Sequence, residues 1–145
     1  MDKIAVLIPC YNEEKTLHIA IDDLPKHIDG IDEIETLIID DGSPDGTANI
    51  VHQLMLHEFD NRLFIIEREG KQGLGTAYIT GFKWALQHNY DYVFEMDADF
   101  SHDPNDLPRL YAACHDEGYD VSVGSRYITG VNVVNWPMGR VLMSY

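Results

Sequence analysis

Apolar runs and helical stripes alternate along this chain in a repeating order. Ile4-Ala5-Val6-Leu7-Ile8 is continuously apolar, the mark of a strand buried on both faces. The segment from Pro9 to Glu14 is polar and turn-like. Leu17, Ile21, Leu24 and Ile28 then recur at helical spacing until Gly30 stops the helix. Thr36-Leu37-Ile38-Ile39 predicts a second strand, residues 40–46 a loop, and Ala48, Val51, Leu54 and Met55 a second helical stripe. Leu63-Phe64-Ile65-Ile66 predicts a third strand and Arg68 to Gly75 its loop, while Leu74, Ala77, Tyr78, Gly81 and Ala85 line a third helix. Tyr92-Val93-Phe94 predicts a fourth strand, and Leu107, Leu110, Tyr111 and Cys114 a fourth helix that Pro104 opens. Asp120 to Gly124 reads as a fifth strand, running into Ser125-Arg126-Tyr127.

Strands alternating with helices imply right-handed crossovers and a mostly parallel central sheet. With no internal repeat and no linker, residues 1–145 read as one α/β domain. Each polar segment follows the carboxyl end of a strand, the edge where open α/β sheets bind ligands. Five such loops on one edge define a site, and their content suits a nucleotide.

Composition narrows the partners. The net charge of −15 and a pI near 4.5 argue against non-specific nucleic-acid binding and against a basic membrane-surface patch. Cys10 and Cys114 form no C-x-x-C pair or metal spacing, which fits a reducing cytoplasm. The N-terminus runs straight into a strand pattern, so no signal peptide is expected. No apolar run approaches the ~20 residues needed to span a bilayer. The expected location is the cytoplasm, with peripheral contact at the cytoplasmic face of a membrane left open.

The richest chemistry follows the fourth strand, in Asp97-Ala98-Asp99-Phe100-Ser101-His102-Asp103-Pro104. Residues two apart share a face in extended backbone, so Asp97 and Asp99 converge with Ala98 turned away. Two carboxylates held together repel unless they share a proton or a cation. Oxygen ligands suit Mg²⁺ or Mn²⁺, ions that usually also hold substrate phosphates. Ser101 is the best-placed third oxygen, and His102 ranks lower as a ligand. A lone Asp-x-Asp is weak; a helix cap plus a solvated carboxylate explains it equally well. The other loops change the balance.

Pro9-Cys10-Tyr11-Asn12-Glu13-Glu14 offers an aromatic ring for a base or ribose, plus acceptors; the plainer role is a helix start with Asn12 as N-cap. Asp40 and Asp41 sit adjacent at a strand end and point to opposite faces, so one can meet a base N–H while the other supports the loop. Ser43 and Asp45 read as turn and cap residues. In Arg68-Glu69-Gly70-Lys71-Gln72-Gly73-Leu74-Gly75 the glycines permit close backbone approach, Gly73 among them, and Lys71 can reach a phosphate. A surface turn with two solvated cations is the alternative there. Arg126 lies at the ligand edge, where a carboxylate or phosphate is its natural partner.

Taken together, Ile8-Pro9-Cys10-Tyr11-Asn12-Glu13, Asp40-Asp41-Gly42-Ser43-Pro44-Asp45-Gly46-Thr47, Gly73-Leu74-Gly75-Thr76-Ala77-Tyr78, Asp97 through Pro104 and Gly124-Ser125-Arg126-Tyr127 resemble the inverting family-2 glycosyltransferases. Within these, Asn135-Trp136-Pro137 with Arg140 and the Ser-His-Asp-Pro continuation most resemble the dolichol-phosphate (polyprenol-phosphate) mannosyltransferases. The resemblance implies a GT-A (Rossmann-like) three-layer sandwich. It implies that Pro9, Tyr11, Asn12, Glu13, Asp40, Asp41, Lys71 and Gly73 hold the nucleotide, and that Asp97 and Asp99, with Ser101 as third oxygen, hold Mg²⁺ or Mn²⁺. Asp97, Asp99 and Arg126 are the implied catalytic residues, and Arg126 and Arg140 clamp phosphate, including that of the acceptor. The family often has Gln in place of Ser101, and a Gly pair in place of Gly130-Val131.

The implied reaction transfers mannose from GDP-mannose to a polyprenyl phosphate with inversion. Family members usually continue beyond the equivalent of Tyr145, so a C-terminally truncated chain is expected. Val133, Val134, Trp136, Met138, Val141, Leu142, Met143 and Tyr145 would then form an apolar tail able to drive self-association. Two other readings stand beside this one. A UDP-sugar-dependent relative would glucosylate polyprenyl phosphate or a saccharide hydroxyl, and an inactive nucleotide-binding fragment would need no chemistry at all. A nucleotidyltransferase fits less well, because its Gly-rich basic loop belongs where Tyr11-Asn12-Glu13 stands.

Overall fold

A computed structural model describes residues 2–24, 34–59 and 61–125. They contain four strands, β1 (Ile4–Cys10), β2 (Ile34–Asp40), β3 (Leu63–Glu67) and β4 (Tyr92–Glu95), and four α-helices, α1 (Leu17–Asp22), α2 (Thr47–His57), α3 (Leu74–Gln87) and α4 (Leu107–His115). The strands form one parallel sheet in the order β3-β2-β1-β4. The described residues separate into two compact units, one ending at Pro108 and the other beginning at Arg109.

The sheet belongs to the first unit. Its central strand β1 is buried at every position, as its continuous apolar sequence requires. The steps β1-α1-β2 and β2-α2-β3 run one way across the sheet, and β3-α3-β4 returns past both inner strands. Right-handed crossovers therefore place α1 and α2 on one face and α3 on the other. The α3 face is built from Ala5, Leu7, Leu37 and Ile39 against Ala77, with Phe64, Trp84 and Tyr90 around them. Gly81 sets how close this helix comes. A Cβ there would lie 2.8 Å from Leu7 Cδ1 and 3.2 Å from Ile39 Cδ1.

Most elements fall where the pattern puts them, and the exceptions have physical causes. β1 runs on through Pro9 and Cys10, which the polar reading had assigned to the loop. The β1–β4 ladder ends at Leu7↔Glu95, so at Pro9 the strand is already an edge on that side, where a residue without an N–H is tolerated. Helix α1 starts at Leu17 rather than after Asn12, and Thr16 is its N-cap residue. Leu17, Ile21 and Leu24 are buried as the stripe implies, while Ile28 and Gly30 lie outside the described residues. Leu74 does not join the α3 stripe and is 57% exposed. Pro104 opens a 3₁₀ turn (Pro104–Asp106) that leads into α4, and Asp103 Oδ1 accepts the Asn105 N–H at 2.9 Å.

In the second unit, α4 closes with the Asp116 N–H on the Ala112 carbonyl at 2.8 Å. The expected strand at 120–124 is not seen among the described residues: none of the four strands takes in 120–124, and Val121 and Val123 are 75% and 80% exposed. Alternating valines supply β-propensity, but a strand needs a paired neighbour to satisfy its backbone.

Candidate active site

The loops after β1 and β2 are stitched together by side chains that accept successive backbone N–H groups. The Asn12 N–H donates to Ser43 Oγ at 2.9 Å, the Glu13 N–H to Thr47 Oγ1 at 3.1 Å and the Glu14 N–H to Asp45 Oδ2 at 3.4 Å. Asn12 is not an N-cap; it sits at φ 55, a left-handed conformation that Asn tolerates. Glu13 Oε2 accepts the Thr16 hydroxyl at 2.7 Å. Asp45 also accepts the Thr47 N–H at 3.0 Å and the Thr47 hydroxyl, the turn role its sequence implies; the N-cap of α2 is Gly46. Burial opposes ionisation of Asp45, but the hydroxyl and N–H of Thr47 and the N–H of Glu14 outweigh it, so its carboxyl titrates below the ordinary range.

Asp40 and Asp41 are both buried. Asp40 holds its own turn, Oδ1 accepting the Ser43 hydroxyl at 2.6 Å. Asp41 organises the loop after β3. Its oxygens accept the Gln72 N–H at 3.0 Å and the Gly73 N–H at 2.9 Å, and Oδ1 lies 3.0 Å from the Arg68 guanidinium. Both side chains of that ion pair are only 7% exposed. Arg68 further donates to the Gly73 carbonyl, to Gln72 Oε1 at 2.9 Å and to Thr76 Oγ1 at 2.7 Å. It is therefore an internal clasp, not the solvated cation of the sequence reading. Gly73 is the N-cap of α3 at φ 103, in the left-handed half of backbone space that favours glycine.

Lys71, by contrast, is exposed, and its Nζ lies 4.3 Å over the Tyr11 ring centroid. The clasp around Asp41 thus presents Lys71 beside the aromatic residue of the first loop. Pro9 is buried in β1, two residues before that ring.

Beyond β4, Met96 and Ala98 are buried while Asp97 is half-buried and Asp99 exposed, the alternation that turns both carboxylates outward. Asp97 Oδ1 accepts the Tyr78 hydroxyl at 3.0 Å, and the Asp97 N–H donates to His102 Nδ1 at 3.0 Å. That hydrogen bond occupies the Nδ1 lone pair, and Nε2 faces Asp97 Oδ2 at 4.0 Å; His102 braces the loop. Asp99 Oδ1 accepts the Ser101 N–H at 3.0 Å and the Ser101 hydroxyl at 2.5 Å. Burial disfavours its ionised form, but Ser101 and, less strongly, His102 hold its carboxyl below the ordinary range. Burial, then the charge and hydrogen bond of Asp97, push the Tyr78 phenol well up. Asp97, Asp99 and Ser101 offer oxygen atoms on one solvent-reachable loop, a donor chemistry that fits a hard divalent cation such as Mg²⁺ or Mn²⁺.

Four of the five expected loops are thus brought to one edge. Arg126 and Arg140, with the apolar tail, lie outside the described residues. Burial, then the charges of Glu13, Asp40 and Asp45, raise the Cys10 thiol, which suits an unreactive core cysteine. Among the described residues His18, Asp22 and Glu58 bring ligand atoms within 4.8 Å of one another. All three are exposed and meet as ion pairs of 3.1 and 3.9 Å on α1 and the end of α2. A groove of about 320 Å³ along α2 includes Glu14, Ile50 and Glu58 but none of Tyr11, Lys71, Asp97 and Asp99. Converging loops, not a closed cavity, locate the site.

Sequence reasoning missed three contributors. Arg68 and the amide-accepting Thr47 were not singled out for these contacts, and Tyr78 was read as a helix-stripe residue and part of a motif, with no role for its hydroxyl. Tyr78 had one visible signal, a hydroxyl-bearing ring in a stripe otherwise made of Leu74, Ala77, Gly81 and Ala85.

A parallel α/β sheet with its polar loops gathered at the carboxyl edge is an architecture that binds ligands at that edge. The chain belongs to glycosyl transferase family 2, whose model matches residues 5–144. It is 42% identical over 139 residues to a polyprenol monophosphomannose synthase of Mycolicibacterium smegmatis, covering 96% of this chain and 51% of that one. It is 39% identical to an undecaprenyl-phosphate mannosyltransferase of Micrococcus luteus over 99% of this chain and 56% of the relative. The chain thus spans about half the length of these two relatives. Among solved structures, the mannosyltransferase PcManGT from Pyrobaculum calidifontis, in complex with GDP-Man and Mn²⁺, matches with a TM-score of 0.64 at 25% identity, covering 79% of this chain and 32% of that one. TarS of S. aureus matches with a TM-score of 0.60 at 23% identity, covering 88% and 40%, a likeness of fold. No helix among the described residues is long and apolar enough to cross a membrane.

Proposed function

We propose that residues 1–145 are the donor-binding part of a GT-A domain that transfers mannose from GDP-mannose to a polyprenyl phosphate, with inversion at the anomeric carbon. One observation carries the reading: Lys71 stands over Tyr11 on the same sheet edge as the oxygen set Asp97, Asp99 and Ser101. The names of the relatives at 42% and 39% identity support the mannosyl donor and the lipid-phosphate acceptor. The GDP-Man and Mn²⁺ of PcManGT support a divalent cation.

In this reading Tyr11 packs on the nucleoside and Lys71 meets the diphosphate. Pro9, Asn12 and Glu13 shape the nucleoside side, while Asp40, Asp41 and Gly73 fix the walls on which it rests. Asp97 and Asp99, with Ser101, hold Mg²⁺ or Mn²⁺. The cation, when bound, neutralises charge developing on the leaving diphosphate. Arg126 and Arg140 position phosphate, including that of the acceptor. The nucleophile is a phosphate oxygen, largely ionised at neutral pH because its second pKa is ~6. An acceptor of that kind needs little help from a general base. Acceptor chemistry takes place at a membrane surface, which this domain meets peripherally.

Calorimetric titration with GDP and with UDP, each with and without Mn²⁺, tests the donor half. Mn²⁺-dependent binding of GDP over UDP is the expected result. Preference for UDP moves the reading to a glucosyl-type transferase, and a folded chain that binds neither overturns it.

A further inference from the structure

We propose that Tyr78 is a positioning residue for Asp97 and sets how tightly this edge of the sheet holds a divalent cation; this rests on Asp97 and Asp99 being the cation ligands. The case begins with α3. Its buried face of Ala77, Gly81 and Ala85 presses on the sheet, and Gly81 admits no larger side chain without moving Leu7. The helix is thereby fixed in height and rotation, and Tyr78, beside Ala77 on the same turn, is fixed with it. The Tyr78 ring lies stacked with Phe82, centroids 6.4 Å apart at 25°. From that position the hydroxyl reaches Asp97 Oδ1 at 3.0 Å.

The hydrogen bond joins a packed helix to the loop that follows a strand end. Tyr78 stands on a packed helix, whereas Asp97 lies just past the end of β4, whose ladder stops at Glu95. Asp97 would otherwise be a short side chain on an unpaired loop. Its backbone is held by His102 Nδ1 and its carboxylate by Tyr78, so one contact fixes the main chain and the other fixes the side-chain torsions. A ligand whose rotamer is set in advance loses less freedom when the cation arrives. Hydrogen-bonded partners of metal ligands typically change metal affinity by about 10- to 100-fold when removed.

An opposing effect exists: a donor on Oδ1 withdraws electron density that a cation would otherwise draw on. Asp97 has a second oxygen, Oδ2, which accepts no hydrogen bond from Tyr78 and has His102 Nε2 no nearer than 4.0 Å. The phenol therefore takes one oxygen and leaves the other for the cation, so positioning outweighs the loss of basicity.

Mn²⁺ affinity in the presence of GDP, followed by electron paramagnetic resonance on the whole chain, tests this with four proteins. Tyr78→Phe removes a single oxygen and is expected to weaken Mn²⁺ binding about tenfold or more, with the metal-free melting temperature unchanged. Phe82→Leu loosens the ring stack but keeps the hydroxyl, and is expected to bind Mn²⁺ like the parent. Asp97→Ala is expected to lose the site. If Asp97→Ala binds Mn²⁺ as the parent does, the ligand assignment itself fails. If Asp97→Ala loses Mn²⁺ while Tyr78→Phe keeps it within twofold, the assignment stands and the role of Tyr78 is overturned. Equal losses in Tyr78→Phe and Phe82→Leu also overturn it, since packing and not the hydroxyl would then be responsible.

Discussion

The carboxylate of Asp41 receives the N–H of Gly73 at 2.9 Å, joining the end of β2 to the residue that caps α3. This contact turns an acidic strand end into scaffolding for the loop that carries Lys71. Arg68 completes it from the other side, with both ionic side chains almost fully buried.

Removing one partner of this pair strands the other. Asp41→Ala leaves the Arg68 guanidinium without its carboxylate and the Gln72 and Gly73 N–H groups without acceptors. Breaking a buried pair in this way costs about 3–5 kcal/mol. Arg68→Met leaves a carboxylate that still accepts two N–H donors, so it is expected to cost less. Urea denaturation of the two variants should give that order; equal losses would show that the backbone contacts contribute little.

Lys71 makes the opposite case. Its contact with Tyr11 is exposed, and such cation–π contacts contribute only about 0.5–1 kcal/mol. Lys71→Met should therefore leave the unfolding curve nearly unchanged. Loss of a charge-assisted contact to phosphate is worth about 1.5–3 kcal/mol, so GDP affinity is expected to fall roughly 10- to 100-fold by that same principle. A titration showing unchanged GDP affinity would remove Lys71 from the binding role proposed for it.

Two glycines in facing loops separate conformational strain from steric exclusion. Gly42 and Gly70 have φ of 75 and 78, but only at Gly42 would a Cβ meet backbone, 2.5 Å from Gly70 Cα and N. At Gly70 nothing lies within 4 Å. Gly70→Ala is expected to cost about 1–2 kcal/mol, the left-handed penalty for an L-residue. Gly42→Ala carries the same penalty plus a clash that moves the loop bearing Lys71. Melting of both variants checks the order, and GDP binding should weaken only in Gly42→Ala.

How much of this was legible beforehand depended on how local each signal is. The periodicities of β1 to β4 and the polar loops after them are properties of adjacent residues, and they placed those loops together at the carboxyl edge of one parallel sheet. The bonds that organise the site are not local. Asp41 and Arg68 stand in different loops, and neither residue's neighbours announce the other, so one read as a nucleoside ligand and the other as a surface cation. Tyr78 read as packing because helical spacing reports where a ring lies, not what its hydroxyl touches. Val121 and Val123 read as strand because alternation reports propensity, whereas pairing depends on a neighbour that the pattern does not contain.

The Asp45 carboxylate offers a test of the stitching between the first two loops that runs on pH. It accepts from Thr47, at the start of α2, and from the Glu14 N–H, and these bonds hold its titration below the ordinary value of 3.8. A depressed folded-state pKa means that the stabilisation is present above the unfolded pKa and is lost as pH falls through the folded one. Asp45→Asn keeps an acceptor oxygen but not the charge, and Asp45→Ala removes both. Losing an intramolecular hydrogen bond costs about 1 kcal/mol, so Asp45→Ala should be the less stable variant at neutral pH, with Asp45→Asn between it and the parent. The gap between parent and Asp45→Asn should stay constant from neutral pH down to about 5 and close below about 4, where the unfolded carboxyl takes up its proton. Thermal melts across that range decide it. A gap that does not change with pH would show that Asp45 acts through its shape and not through its charge.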